Sequence, residues 1–116
     1  GPGQVALGYL GDSGGDTWNG YLTVISDAFS PMPLMTTVQV NAWGDPLDTT
    51  ADCGFNRCGG FGDFNDIIID QYGRAWFGLA HNVGGEIGIF GTMTIGPSLR
   101  GNGTLTELPP GGPSTL

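Results

Sequence analysis

The amino-acid sequence predicts an all-β protein, and three observations carry that prediction. The chain of 116 residues contains 23 Gly and 8 Pro, about twice their usual joint share. Both residues are poor in helix interiors, and no stretch offers three turns of good helix formers free of them or of a β-branched cluster. The apolar residues instead fall in short runs bounded by turn residues, the pattern of strands.

The elements follow in order. Val5 to Gly11 reads as a strand with Val5, Leu7 and Tyr9 on one face and the small Ala6 and Gly8 on the other. The cluster from Gly11 to Asp16 ends it. Trp18 to Ser26 forms the next strand, and Asp27 to Pro33 is a Pro-punctuated loop. Leu34 to Asn41 alternates Thr37, Gln39 and Asn41 against Val38 and Val40, the mark of a half-buried or edge strand. From Ala42 to Phe64 runs a long connection rich in Gly and Asp; loops of that length are usually functional or bridging. Asn65 to Asp70 contains Ile67-Ile68-Ile69, which predicts a strand buried on both faces. Gln71-Tyr72-Gly73-Arg74 is a tight turn with Gly at the left-handed position. Ala75 to Asn82 and Glu86 to Thr94 are the return strands, Gly96-Pro97 breaks the second, and Leu105 suits a last short strand.

Charge and cysteines narrow the function. Eleven acidic residues face three Arg and no Lys, a net charge of −8, so no basic patch can be assembled for nucleic acid or an anionic membrane. There is no run of 18 apolar residues, and the Gly1-Pro2 start has no signal-peptide features; it reads as mature, cut or engineered. Cys53 and Cys58 lie in a turn-rich segment. A local disulfide is the favoured reading over two thiols or half a metal site, and it implies an oxidising, secreted or cell-surface location. Asn102-Gly103-Thr104 is then a glycosylation acceptor in a suitable host.

The segment from Phe61 to Ala80 resembles the inner hairpin of a blade in bacterial sialidase-like (BNR/Asp-box) β-propellers: an Asp-aromatic pair, an apolar strand, a D-x-x-G-R turn and a returning strand. Pro2 to Gly11 is similar to the second strand of the preceding blade. Ser26-Asp27 stands where the family carries its Asp-box, without the Gly and Trp of that motif, and Gly91 to Arg100 is similar to the family's closing segment. The resemblance implies about two blades of antiparallel four-stranded meanders, the first lacking its inner strand. Residues 1–41 are then a partial blade, 42–64 an inter-blade loop with the Cys53-Cys58 pair, 65–108 a second blade and closing segment, and 109–116 a flexible tail. A propeller closes with about four to eight blades. The expected partners are therefore other blades, on the same precursor or a companion chain. A self-contained β-sandwich of a surface or filament protein is the alternative fold.

The resemblance also implies a catalytic plan, an arginine triad with a Tyr nucleophile, a Glu and an acid-base Asp. Arg57, Arg74 and Arg100 sit in a loop, a turn and beyond the last strand, and no motif sets Glu86 or Glu107 beside a Tyr. No catalytic residue is carried over. The expectation is a non-catalytic propeller segment for glycan or partner binding or a cell-surface structural role; the alternative is part of an exo-sialidase-type glycoside hydrolase with its catalytic residues on other blades. The ligand-binding candidates are Trp43, Asp63, Asn65 and Asp66, with Asp63 and Asp66 also metal candidates. Calcium is the one candidate cofactor, since it takes Asp and Asn oxygens with backbone carbonyls. The bland reading of the same aspartates is loop capping. Trp43, in the long loop, is the aromatic expected to be exposed, and His81 is expected at a surface or strand end rather than as a base.

Overall fold

A computed structural model describes residues 1–12, 14, 17–47, 65–81, 87–101 and 103–106. The candidate positions Asp63, Cys53 and Cys58 lie outside these residues. Six strands are present: β1 (Val5–Asp12), β2 (Trp18–Ile25), β3 (Met35–Gln39), β4 (Asp66–Ile69), β5 (Ala75–His81) and β6 (Ile87–Thr92). They form two open, antiparallel, three-stranded sheets in the orders β1-β2-β3 and β4-β5-β6. No helix occurs among the described residues, so none there is long and apolar enough to cross a membrane.

The sheets pack face to face, β1 over β4 and β2 over β5. Leu22 and Val24 from the first sheet meet Ala75, Phe77 and Leu79 from the second, with Leu47, Met93 and Leu99 closing the ends. Each of the larger side chains, fully buried, contributes about 1.5–3 kcal/mol. Close approach depends on glycine. A Cβ on Gly8 would overlap the Phe77 ring, and one on Gly20 would overlap Leu79. The small face of β1 is thus the inner face, and Leu7 and Tyr9 point outward, 47% and 42% exposed.

The β4–β5 hairpin turns through Gln71-Tyr72-Gly73. Gly73 has φ +83°, and a Cβ there would overlap Ser98 Oγ and press on the backbone nitrogens of Leu99 and Arg100. Asp70 organises this turn: Oδ1 accepts from the Tyr72 and Arg74 backbone N–H groups at 2.8 and 3.0 Å, and Oδ2 from the Trp76 indole at 3.0 Å. Burial alone would raise its pKa. The indole bond, the two backbone bonds and the Arg74 charge outweigh that and hold the carboxyl below its ordinary value.

Two expectations change. The isoleucine run is not buried on both faces: β4 is an edge strand, Ile67 packs on the core, and Ile68 is 60% exposed. A β-branched run records strand preference, while its burial depends on whatever covers each face. The first sheet has the three strands expected of it, whereas the second has three rather than four among the described residues. Leu105 instead donates its N–H to Gly96 O at 2.7 Å beside an isolated Pro97–Thr104 bridge. Segments far apart in sequence meet where the Gln4 carboxamide donates to Ser98 O and Gly101 O.

Candidate functional site: an aromatic groove on the first sheet

Beyond β3 the chain makes a β-turn over Ala42-Trp43-Gly44-Asp45. The Asp45 N–H donates to Ala42 O at 3.1 Å, and Gly44 takes φ +78°, the third-position conformation of a type II turn. Trp43 stands at the tip of the turn and is 89% exposed.

The turn is pinned from several sides. Asn41, buried, donates from Nδ2 to Asn19 Oδ1 at 2.9 Å and to Asp45 O at 3.0 Å, and its Oδ1 accepts from the Gly20 N–H at 2.8 Å. Gln39 Nε2 donates to Asn41 O at 3.0 Å and Ala42 O at 3.4 Å. Leu47 closes the segment by donating its N–H to Trp18 O at 2.9 Å. From the second sheet, His81 Nε2 reaches Asp45 Oδ2 at 3.2 Å and Asp45 O at 3.3 Å. His81 is at the strand end, as expected, but it is buried, with 5% exposure. A tautomer protonated on Nε2 serves both acceptors.

Between this turn and the outer face of the first sheet lies an open groove of about 460 Å³. Its lining includes Thr17, Asn19, Tyr21, Thr37, Gln39 and Trp43. Behind it runs a polar ladder: Tyr9 Oη to Thr23 Oγ1 at 3.1 Å, then Thr23 Oγ1 to Thr37 Oγ1 at 2.7 Å, with the Tyr9 and Tyr21 rings 5.6 Å apart. The groove joins aromatic surface to hydroxyls and amides, the composition of a site for a polar ligand with apolar faces.

The other sequence candidates sit elsewhere. Asn65 and Asp66 border a small cleft beside Gly8 and Phe77, on the second sheet's side, and share no cavity with Trp43. Asp66 Oδ1 accepts from the Ile67 N–H at 2.8 Å. Among the described residues no group of three or more His, Cys, Asp or Glu is arranged to hold a metal. Arg74 is buried at the hairpin turn and donates to Met93 O, Thr94 O and Thr106 O; Arg100 donates to Asp70 O and Ile69 O. The expected exposure of Trp43 is observed, whereas the amides of Asn41, Gln39 and Asn19 around its turn are not among the sequence candidates. The signal that reaches Gln39 and Asn41 is their place just before the Trp43-Gly44 pair, a type II turn with amides at its base; Asn19, on β2, has no such local signal. No protein-family model, curated protein or solved structure matches this chain.

Proposed function

We propose that this chain is a non-catalytic, extracellular binding module that takes a glycan ring on the Trp43 groove. The observation that carries the reading is an indole left 89% exposed on a turn fixed by side-chain bonds from Asn41, Gln39 and His81. Holding a bare aromatic in water forgoes about 1.5–3 kcal/mol of burial, and a ligand that covers it recovers that energy. A turn already ordered spares the ligand the entropic cost of fixing it. Sugars suit the groove because their C–H faces lie on aromatic rings while their hydroxyls exchange hydrogen bonds with Gln39, Thr37 and Tyr21. The residues described as lining the groove are neutral donors and acceptors, which suit the hydroxyls of a sugar.

The test is a glycan array followed by calorimetry on the intact chain. Binding to a defined glycan, lost in Trp43→Ala with an unchanged melting midpoint, is expected. No glycan binding, or equal binding by the variant, would sink the reading.

A second reading keeps the chain as two blades of a sialidase-like propeller completed by further blades. What favours it is the outer face of the second sheet, where Ile68, Trp76 and Phe90 surround a cavity of about 440 Å³, an apolar area of the kind that interfaces cover. On that reading Cys53 and Cys58 form a disulfide outside the cell and calcium sits near Asp63 and Asp66. A compact monomer with one cooperative melt in size-exclusion and calorimetric runs would remove the need for further blades. No shift of that melt in millimolar calcium would remove the ion.

A further inference from the structure

We infer that the Trp43 groove selects uncharged sugar rings and discriminates against rings that carry a carboxylate. The inference rests on the glycan reading and names the ligand class for the same site.

Three observations converge. The described lining is neutral, with hydroxyls from Thr17, Tyr21 and Thr37 and amides from Asn19 and Gln39. A ligand carboxylate is best held by a bidentate guanidinium or several charge-assisted donors, and both described arginines are engaged elsewhere. Arg74 is 1% exposed and bonded through Nε to Met93 O at 3.2 Å and through Nη2 to Thr94 O at 3.4 Å and to Thr106 O. Arg100 places Nε 2.7 Å from Asp70 O and Nη2 3.3 Å from Ile69 O, on the second sheet's hairpin. Releasing Arg74 would leave the buried Met93 carbonyl without that donor, which keeps it in place.

The third observation supplies repulsion. Asp45 belongs to the same turn as Trp43, and its side chain is 56% exposed with Oδ2 facing His81. A carboxylate on the ring would enter the negative potential of a molecule of net charge −8, with Asp45 two residues from Trp43 in the same turn, while losing its own hydration to neutral partners. Selectivity of this kind comes from a repulsive element added to a neutral site.

A matched ligand pair tests the inference. Methyl glycosides of the gluco, galacto and manno series are titrated against the corresponding methyl uronides, which exchange the C6 hydroxymethyl for a carboxylate. The readout is the Trp43 indole N–H resonance, at about 0.01 M and about 1 M salt, where the screening length is about 30 Å and about 3 Å. The expected result is a neutral ring bound about tenfold more tightly than its uronide at low salt, with a narrower gap at high salt. Asp45→Asn, which removes the charge and alters the His81 contact that pins the turn, raises uronide affinity relative to that of the neutral ring. Equal or tighter uronide binding in the wild-type chain overturns the selectivity while leaving the glycan reading standing. A silent Trp43 resonance with every ring overturns both.

Discussion

The two sheets turn outward faces of opposite character. On the first sheet, Tyr9, Thr23 and Thr37 are joined by hydroxyl bonds, and the groove beside them ends in a bare indole on a pinned turn. On the second, Ile68, Trp76 and Phe90 surround Gly78 with the Trp76 and Phe90 rings 6.0 Å apart, and the Trp76 indole N–H is already given to Asp70. The cavities are of similar volume, about 460 and 440 Å³. Their linings separate them: the first offers neutral hydroxyls and amides to a ligand rich in hydroxyls, and the second sets Ile68, Trp76 and Phe90 beside Asp66 and Asp70 and presents mainly apolar surface. Exposed aromatic area alone would have ranked them together.

The sharpest way to break this contrast is to remove one tryptophan from each face. Trp43→Ala is expected to weaken glycan binding about thirtyfold, the loss typical of a binding hot spot of about 2 kcal/mol, with no change in thermal midpoint. Trp76→Ala should lower the midpoint and leave the glycan affinity alone. If both changes act on binding, the two faces are not distinct.

Asn41→Ala tests whether the groove is built or incidental. It removes the acceptor of the buried Gly20 N–H and the donor to Asn19 and Asp45, at a cost of about 1–3 kcal/mol, measured by denaturant unfolding. Glycan affinity should fall as well, because the turn under Trp43 loses its anchor. Unchanged affinity would mean that the turn's order does not matter to the ligand.

Glycines on inner and outer faces give a third comparison. Gly8→Ala forces a methyl group into the Phe77 ring and should cost about 1–3 kcal/mol as overpacking. Gly88→Ala meets no atom within 4 Å and should stay within about 0.5 kcal/mol of wild type. Equal effects would contradict the face-to-face packing.

The smallest expected effect is on pH dependence. Asp70 is held below its ordinary pKa of 3.8, so its stabilisation is fully present above that value and is lost as pH falls through the lower folded-state value. Melts of wild type and Asp70→Asn should differ at pH 7 and converge in strong acid. A gap that persists there would show that Asp70 acts through shape alone.

Much of this architecture is legible in the chain because strands and turns are local. Alternation around Val38 and Val40 marks an edge strand, and Gly73 marks the turn between β4 and β5. Which face of β1 lies inside is not legible, since the answer depends on Phe77, far along the chain, needing the space that Gly8 leaves. The exposure of Trp43 follows from its place in a loop, whereas its fixation needs Asn41 anchored on the second strand and His81 brought by the second sheet. Ile67-Ile68-Ile69 announces a strand without saying how many neighbours the strand has. Pairings across sheets are written in shape rather than in local pattern.

The Gln4 clasp carries a consequence for the order of folding. Its acceptors lie 94 and 97 residues away in sequence, and closing so long a loop is entropically costly until both sheets exist. The hairpins can form within about 1–10 μs, while the clasp shuts only on an assembled pair of sheets. Gln4 thus acts as a latch on the finished molecule: Gln4→Ala should leave the refolding rate near its original value and make the native state open faster.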